Sequence, residues 1–280
     1  ETVYALIVGS KDTPYRGGFY LFEITFPNNY PFSPPKVKFC TTNGKVRFNP
    51  NLYREGKVCL SLLGTWSGPG WTPCNKISSV LLSIQTIVLN EKPLQNEPGF
   101  ENSSEKELSK YSYVVEYFNY QVAVLQMLLN PPGKFSIFHE EMIDYFLKNK
   151  DVYKDNILKL KENIISRNDI FPEYASRNYI HSGVYNMIVY PDFDGILSKI
   201  DSISCKDQLN DSIKNIKLVE EKKDLQIQRS KINKSTLLVD IQLLAKKLNI
   251  EFTKISTKTS KQIKKTKNEL LIEIDLKLDK

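Results

Sequence analysis

The chain has 280 residues, of which 41% are hydrophobic and 25% charged, a composition typical of a soluble globular protein with one or two domains. No apolar run approaches the roughly 18 to 20 residues of a membrane span, and no signal peptide opens the chain, so we expect a cytoplasmic and/or nuclear protein without membrane contact. The formal charge of +7 is concentrated in residues 206–280, which hold 18 Lys and Arg against 11 Asp and Glu.

Three β-strands with short connections are predicted near the start of the chain. Residues 2–8 are apolar and rich in β-branched types, and residues 18–26 alternate, with Tyr20 and Phe22 on one face. Residues 36–40 form the third predicted strand after a proline-rich loop. Short connections are typical of an antiparallel meander, so the sequence predicts an α+β fold in which this meander packs against the helices that follow.

A rigid turn followed by a thiol lies in the first half of the chain. Proline restricts the backbone of Asn49-Pro50-Asn51, and the Asn51 carboxamide can brace a loop or donate to a developing oxyanion. Cys59 follows eight residues later, between two apolar residues. If the backbone alternates as in a strand, those neighbours anchor the segment while Cys59 faces outward. Cys59 is therefore a candidate nucleophile.

The other cysteines and the two histidines give little material for metal chemistry. Cys40, Cys74 and Cys205 lack the paired spacing of a zinc site or a disulfide framework, so we expect reduced thiols. His139 and His181 are the only histidines. No metal site is predicted, and no glycine-rich phosphate loop indicates a bound nucleotide.

Apolar residues spaced three and four apart predict helices beyond the thiol. One helix covers residues 77–88, and another begins at Ser104, whose pairing with Glu107 makes a capping box. Residues 137–166 and 182–200 continue the helical pattern, with a break near Pro191 and Gly195 in the second. The core face of the first helix is predicted to hold Ile77, Val80, Leu81, Ile84, Ile87 and Val88.

The basic end of the chain has a different character. Residues 206–235 predict a charged helical linker, and residues 236–280 predict two short helices around a lysine-dense loop. This outline resembles small helix-loop-helix modules, such as the SAP type, that bind nucleic-acid backbones. The alternative is a solvated linker between two small helices. The candidate phosphate contacts are Lys258, Lys261, Lys264 and Lys265.

Four motifs together resemble the ubiquitin-conjugating enzymes, in that family's order and near its spacing. They are Tyr30-Pro31-Phe32-Ser33-Pro34-Pro35-Lys36, Asn49-Pro50-Asn51, Gly56-Lys57-Val58-Cys59-Leu60 and Trp71-Thr72-Pro73.

The segments around this motif set are most similar to the large Z-type members of that family, which carry ubiquitin or a ubiquitin-like modifier. Residues 67–70 and 96–101 carry this likeness. The resemblance implies a conjugating core over residues 1–130 and a helical extension over residues 131–205. The family's first helix and first strand have no counterpart here, so we expect either a fragment or a lost element.

The resemblance also implies a chemistry and a set of partners. Cys59 would accept the modifier as a thioester from an activating enzyme and yield it to a substrate lysine, usually with a ligase. ATP would be used by the activating enzyme, so no cofactor is expected in this chain. Asn51 occupies the family's asparagine position, and Glu97 stands where many members carry an acidic residue that prepares the incoming lysine. The expected ligase contacts are Phe32, Pro73 and Cys74.

Two other functions remain open at this point. A cysteine hydrolase would need a histidine base near Cys59, and neither His139 nor His181 carries a flanking signature of that kind. A catalytically silent relative would bind modifier or ligase as an adaptor, without forming the thioester.

Overall fold

The computed structural model describes residues 1–203 and, nearer the end of the chain, the backbone of residues 253–255 and 262–264. The chain divides into two compact units, Glu1–Ile213 and Lys214–Lys280. The predicted division into four segments stays a prediction.

The sheet of the first unit is the antiparallel meander that the sequence predicts. It contains β1 (Thr2–Val8), β2 (Phe19–Thr25) and β3 (Lys36–Phe39), in the order β1-β2-β3. Phe22 on β2 lies opposite Phe39 on β3, and their rings are 5.5 Å apart. The α+β fold class is therefore confirmed.

Helices make up most of the remaining described structure. None of the helices in the described part of the chain is long and apolar enough to cross a membrane. The helices of the core are α1 (Ile77–Ser83, followed by a π-helical turn at Ile84–Val88), α2 (Glu105–Phe118, followed by a π-helical segment at Asn119–Gln126) and α3 (Met127–Leu129). Those of the extension are α4 (His139–Lys148), α5 (Lys150–Ser166), α6 (Pro172–Arg177) and α7 (Phe193–Ser202).

The central strand β2 is covered on both faces. On one face the Tyr20 ring packs edge-on against Phe48, at 5.5 Å between ring centroids. On the other, Phe19 packs against Tyr145 of α4, at 6.0 Å. Leu21, on the same face of the strand as Phe19, is fully buried. The extension therefore completes the core of the sheet rather than forming a separate layer.

The helix after the thiol changes its register near its end. The Leu89 amide donates to the Ile84 carbonyl at 2.9 Å, a spacing of five residues where an α-helix uses four. This wider turn keeps Val80, Ile84 and Val88 buried, but it leaves Ile87 58% exposed. The prediction that Ile87 faces the core is therefore wrong, because it assumed α-helical spacing throughout.

The start of α2 is the predicted capping box. The Ser104 hydroxyl accepts a hydrogen bond from the Glu107 amide at 3.3 Å, and the Glu107 carboxylate accepts one from the Ser104 amide at 3.0 Å. These bonds satisfy backbone donors that the first turn of a helix leaves open. The prediction is confirmed.

Residues 180–189 form a β-hairpin, so the helix predicted from residue 182 is wrong before residue 193. Its strands are β4 (Ile180–His181) and β5 (Ile188–Val189). Gly183, Tyr185 and Asn186 have positive φ angles of 78°, 58° and 51°, which turn the chain back on itself. Three such residues within four positions cannot continue a right-handed helix.

The lysine-dense stretch contains a strand pair where the sequence predicted a loop. Thr253–Ile255 (β6) pairs antiparallel with Gln262–Lys264 (β7). The β-branched types in these segments favour strand. Of the four candidate lysines, only Lys264 falls in this described backbone. Lys258, Lys261 and Lys265 lie outside the described residues, as do the linker over 206–235 and the flanking helices.

Candidate active site

Asn49 joins the turn before the thiol to the end of the first helix. It is fully buried, and its Nδ2 donates to the Val88 carbonyl at 2.6 Å and to the Tyr15 hydroxyl at 3.0 Å. Its Oδ1 accepts from the Asn51 amide at 2.9 Å, and the Leu52 amide donates to its carbonyl at 2.9 Å. Asn49 is thus a saturated structural brace that fixes the turn.

Asn51 and Cys59 are tied together through their backbones and one side chain. The Cys59 amide donates to the Asn51 carbonyl at 2.8 Å. In return, the Asn51 Nδ2 donates to the Cys59 carbonyl at 2.9 Å. The Asn51 Oδ1 is buried without a hydrogen-bond partner among the described residues. The structure therefore brings together two of the three predicted catalytic residues.

Cys59 is only 2% exposed, so the prediction that it faces outward is wrong in this conformation. Val58 and Leu60 are buried as well, at 2% and 5%. Side chains need not alternate between two faces here, because residues 58–60 belong to no regular strand. Val58 and Leu60 belong to the hydrophobic core, and Cys59 is buried between them along the chain.

Thr65 closes the segment that carries the thiol. Its hydroxyl donates to the Val58 carbonyl at 2.7 Å and accepts from the Leu60 amide at 2.9 Å. These two bonds span Cys59 from both sides along the chain. We call this arrangement the Thr65 clasp.

A glycine-containing loop at residues 64–70 follows and is exposed throughout. Gly64 and Gly68 have positive φ angles of 66° and 132°, which suit glycine. A Cβ placed on Gly68 would lie 3.1 Å from the Cβ of Ser61, so the loop folds back onto the residues just beyond Cys59.

Glu97 lies beside the turn, and a tyrosine of the extension donates a hydrogen bond to it. Its neighbour Asn96 donates from Nδ2 to the Asn49 Oδ1 at 3.3 Å, which sets this segment against the turn. The Oε2 atom of Glu97 accepts a hydrogen bond from the Tyr185 hydroxyl at 2.5 Å.

Two arginines contact the hairpin, and one of them, Arg47, also binds the turn. The Arg47 guanidinium lies 3.7 Å from the ring centroid of Tyr53 and 4.7 Å from that of Tyr185, and its Nη2 donates to the Pro50 carbonyl at 2.6 Å. Arg54 donates from Nη2 to the Tyr185 carbonyl. No sequence pattern pointed to Arg47, Arg54 or Tyr185. Tyr185 lies 88 residues from Glu97 and 131 residues from Arg54 along the chain, so no local spacing links them.

The three predicted ligase contacts are all at the surface. Phe32 is 76% exposed, and Pro73 and Cys74 are exposed too. The Trp71 indole donates from Nε1 to the Pro31 carbonyl at 2.7 Å, which couples the two loops that carry these residues. Their exposure is what docking requires, while the docking itself stays a prediction.

Both histidines have partners of their own. The buried His139 bonds through Nε2 to the Leu128 carbonyl at 2.8 Å, and burial lowers its pKa. The Nε2 of His181 lies 3.0 Å from the Lys110 Nζ and 3.5 Å from the Glu173 Oε1. These contacts disfavour a hydrolase that uses either histidine as a base. Across the described residues, no group of three or more His, Cys, Asp or Glu could hold a metal ion.

Comparison with known proteins gives a family match over the first part of the chain. The family model described as "Ubiquitin-conjugating enzyme" matches residues 1–122.

Curated relatives share the same description. "Ubiquitin-conjugating enzyme E2 Z" of Xenopus tropicalis is 46% identical over 159 residues, covering 55% of this chain and 50% of the relative. The Homo sapiens protein of that name is 53% identical over 128 residues, covering 45% and 36%. A solved Toxoplasma gondii ubiquitin conjugating enzyme E2 domain aligns with 43% of this chain and 79% of its own, at 29% identity and a TM-score of 0.33. The chain spans half or less of the length of these two curated relatives.

Proposed function

Since residues 1–122 place this chain in the ubiquitin-conjugating enzyme family, most like the members named E2 Z, we propose that it carries a protein modifier on Cys59. The modifier is ubiquitin or a ubiquitin-like protein, received as a thioester from an activating enzyme. The chain then transfers it to the amine of a substrate lysine, usually with a ligase.

The observation that carries this proposal is the reciprocal tie between Asn51 and Cys59. Bonds of 2.8 and 2.9 Å hold the backbone of the thiol residue against a carboxamide. A carboxamide beside a reacting carbonyl can donate to the oxyanion that forms there, an interaction worth on the order of 10²- to 10³-fold in rate elsewhere. In the closed conformation this donor is used by the Cys59 carbonyl, and opening of the segment would free it.

The reaction has two steps. In each step a nucleophile, first sulfur and then nitrogen, displaces a thiolate from the carbonyl carbon of the modifier. In charging, the Cys59 thiolate attacks the carbonyl carbon of the modifier's thioester and expels the thiolate of the activating enzyme. In transfer, a lysine nitrogen attacks the same carbon, an amide forms, and the Cys59 thiolate leaves. The proton lost by the amine passes to a base, and we assign Glu97 to orient or deprotonate that amine.

Charging requires the thiol segment to open, because a residue that is 2% exposed cannot reach a partner's thioester. Opening would break the Thr65 clasp and displace the exposed loop at residues 64–70. The glycines of that loop lower the cost of such a change.

The proposal includes partners and a location. ATP is used by the activating enzyme, so this chain would need no bound cofactor. A ligase would contact Phe32, Pro73 and Cys74, and nucleic acid could bind the basic module at residues 236–280. We place this activity in the cytoplasm, the nucleus or both.

The test is a charging assay with the purified chain, an activating enzyme, ATP and ubiquitin. We expect an adduct that reductant removes, that is lost in Cys59→Ala and that resists reductant in Cys59→Lys. Cys40→Ala serves as the matched control, because Cys40 is a free thiol outside both the proposed chemistry and the proposed ligase contacts and should leave charging unchanged. Charging that survives Cys59→Ala would overturn the proposal.

The burial of Cys59 favours one second candidate, an adaptor that binds modifier or ligase without carrying the thioester. In that case no adduct would form with any activating enzyme, while binding of modifier or ligase would persist in Cys59→Ala. The same assay, combined with a binding measurement, separates the two functions.

A further inference from the structure

The hairpin of the extension is anchored on the turn of the candidate active site. Arg54 donates to the Tyr185 carbonyl, and the Arg47 amide contacts the Met187 Sδ at 3.1 Å. Arg47 in turn donates to the Pro50 carbonyl within the turn. Both arginines therefore hold the tip of the hairpin, and Arg47 also binds the turn.

Tyr185 adopts a backbone conformation that is unfavourable for a bulky residue. Its φ of 58° and that of Asn186, 51°, lie in the left-handed region. Such conformations are unfavourable for residues other than glycine and persist only where the surroundings hold them. Here they direct the Tyr185 side chain toward Glu97.

The ring and hydroxyl of Tyr185 are both fixed. The ring lies between the Arg47 guanidinium, at 4.7 Å, and the Tyr111 ring, at 5.9 Å. Burial and the Glu97 carboxylate raise the pKa of the Tyr185 phenol, so its hydroxyl stays protonated near neutral pH. This protonated hydroxyl donates to the Glu97 Oε2, at 2.5 Å.

A glutamate side chain has three rotatable bonds, and without a partner its carboxylate would sample many positions. We propose that Tyr185 is a positioning residue: its hydrogen bond holds the Glu97 carboxylate where it meets the incoming lysine. This inference rests on the proposed function and deepens it. It means that the extension contributes to transfer, although it supplies no group that touches the reacting atoms.

The test separates transfer from charging. Wild type, Tyr185→Phe, Glu97→Gln and the double variant are charged on Cys59, and discharge is timed with free lysine and with hydroxylamine. Hydroxylamine is already unprotonated at neutral pH and has no long side chain to orient, so its attack does not need the carboxylate. Phenylalanine keeps the ring contacts with Arg47 and Tyr111, and a thermal melt verifies folding. Tyr190→Phe, a change of the same kind just beyond the hairpin at a residue that is 67% exposed, is the control.

We expect Tyr185→Phe to slow discharge to lysine about 10-fold, because displacement of a catalytic group by an ångström or less has effects of that order. Charging and discharge to hydroxylamine should match wild type. Glu97→Gln should be at least as slow as Tyr185→Phe with lysine, and the double variant no slower than Glu97→Gln, since Tyr185 acts through that carboxylate.

Four results would overturn the inference. Unchanged lysine discharge would show that the hydrogen bond does not position Glu97, and faster discharge would show that Tyr185 restrains the carboxylate instead. Equal slowing with both amines, or additive effects in the double variant, would show a general structural role. Absence of any adduct in wild type would instead contradict the proposed function, and the inference with it.

Discussion

The Asn51 side chain donates its hydrogen bond to the carbonyl of Cys59, while the Cys59 amide donates to the carbonyl of Asn51. One residue thus fixes the backbone of the thiol residue at both of its polar groups. The remaining side-chain atom, the Asn51 Oδ1, is buried and without a hydrogen-bond partner among the described residues.

Asn51→Ala should reduce stability and slow discharge to lysine. Removing the donor leaves the Cys59 carbonyl unpaired, so the free energy of unfolding should fall by about 1 to 2 kcal/mol. Discharge to lysine should slow by on the order of 10²-fold if the carboxamide also serves the oxyanion. Denaturant unfolding and single-turnover discharge measure the two effects. Asn29→Ala, at an exposed asparagine, is the control, and an Asn51→Ala variant with normal discharge would contradict the oxyanion role.

Thr65→Val should open the thiol segment. The variant loses the hydroxyl that binds the Val58 carbonyl and the Leu60 amide, while its shape is preserved. Alkylation of Cys59 should accelerate about 30-fold, since each neutral hydrogen bond contributes about 1 kcal/mol and two are lost. Peptide mapping measures the rate at Cys59, with exposed Cys74 as an internal reference. The control is Thr86→Val, on the exposed side of the first helix, which should leave the ratio of Cys59 to Cys74 alkylation rates unchanged. If Thr65→Val also leaves this ratio unchanged, the clasp does not close the thiol segment.

Glu116 should make stability depend on pH. It is 7% exposed, and burial raises its pKa from 4.5 to about 7 even though Arg16 lies 3.4 Å away. Between those two values the folded state binds more protons than the unfolded state. Stability therefore falls as pH rises through this window and levels off above it.

Glu116→Gln should remove that dependence. Near pH 8 the variant should be more stable than wild type by up to about 3 kcal/mol, the free energy that corresponds to the pKa shift. Near pH 5 the two proteins should be similar, because the wild-type carboxyl is then largely neutral. Urea unfolding across this range measures the effect, with Glu141→Gln on the surface as the control. Parallel pH profiles for Glu116→Gln and wild type would contradict the assignment.

Phe32→Ala should separate ligase binding from chemistry. The side chain is 76% exposed, so its removal should change the free energy of unfolding by no more than about 0.5 kcal/mol. Ligase-stimulated discharge should fall about 10-fold or more, as for an aromatic anchor, with basal discharge unchanged. Ile137→Ala, at a residue 62% exposed, is the control. Equal ligase stimulation of Phe32→Ala and wild type would contradict the docking prediction.

The basic module can be tested by salt dependence in the full chain. Changing Lys258, Lys261, Lys264 and Lys265 together to Gln should weaken duplex binding. It should also lower the magnitude of the slope of log affinity against log salt concentration by up to about 3 to 4, because each phosphate contact contributes about 0.9 to that slope. An unchanged slope would contradict nucleic-acid binding by this stretch. A control with the same loss of charge changes four exposed lysines of the first unit, namely Lys36, Lys45, Lys92 and Lys106.

The predictions that held depend on neighbours in sequence. The strands of the meander follow from apolar alternation, and the Ser104–Glu107 capping box follows from a three-residue spacing. The family resemblance followed from short motifs around Cys59 and is supported by the match over residues 1–122.

The predictions that failed depend on contacts between distant segments. The hairpin at residues 180–189 is held by arginines more than 130 residues earlier, so its own helical periodicity gave the wrong result. Ile87 is exposed because one wide turn shifts the helix register. Cys59 is buried because Asn51 and Thr65 hold its segment from two sides, a constraint that alternation along a strand does not include.

The burial of Cys59 also affects what happens to the thiol between reaction cycles. Oxidation of a thiol requires contact with a peroxide or with a disulfide. Burial of the sulfur slows both reactions. Under oxidative stress the exposed Cys74 would therefore be modified before Cys59, and the closed segment would preserve the proposed nucleophile in its reduced state.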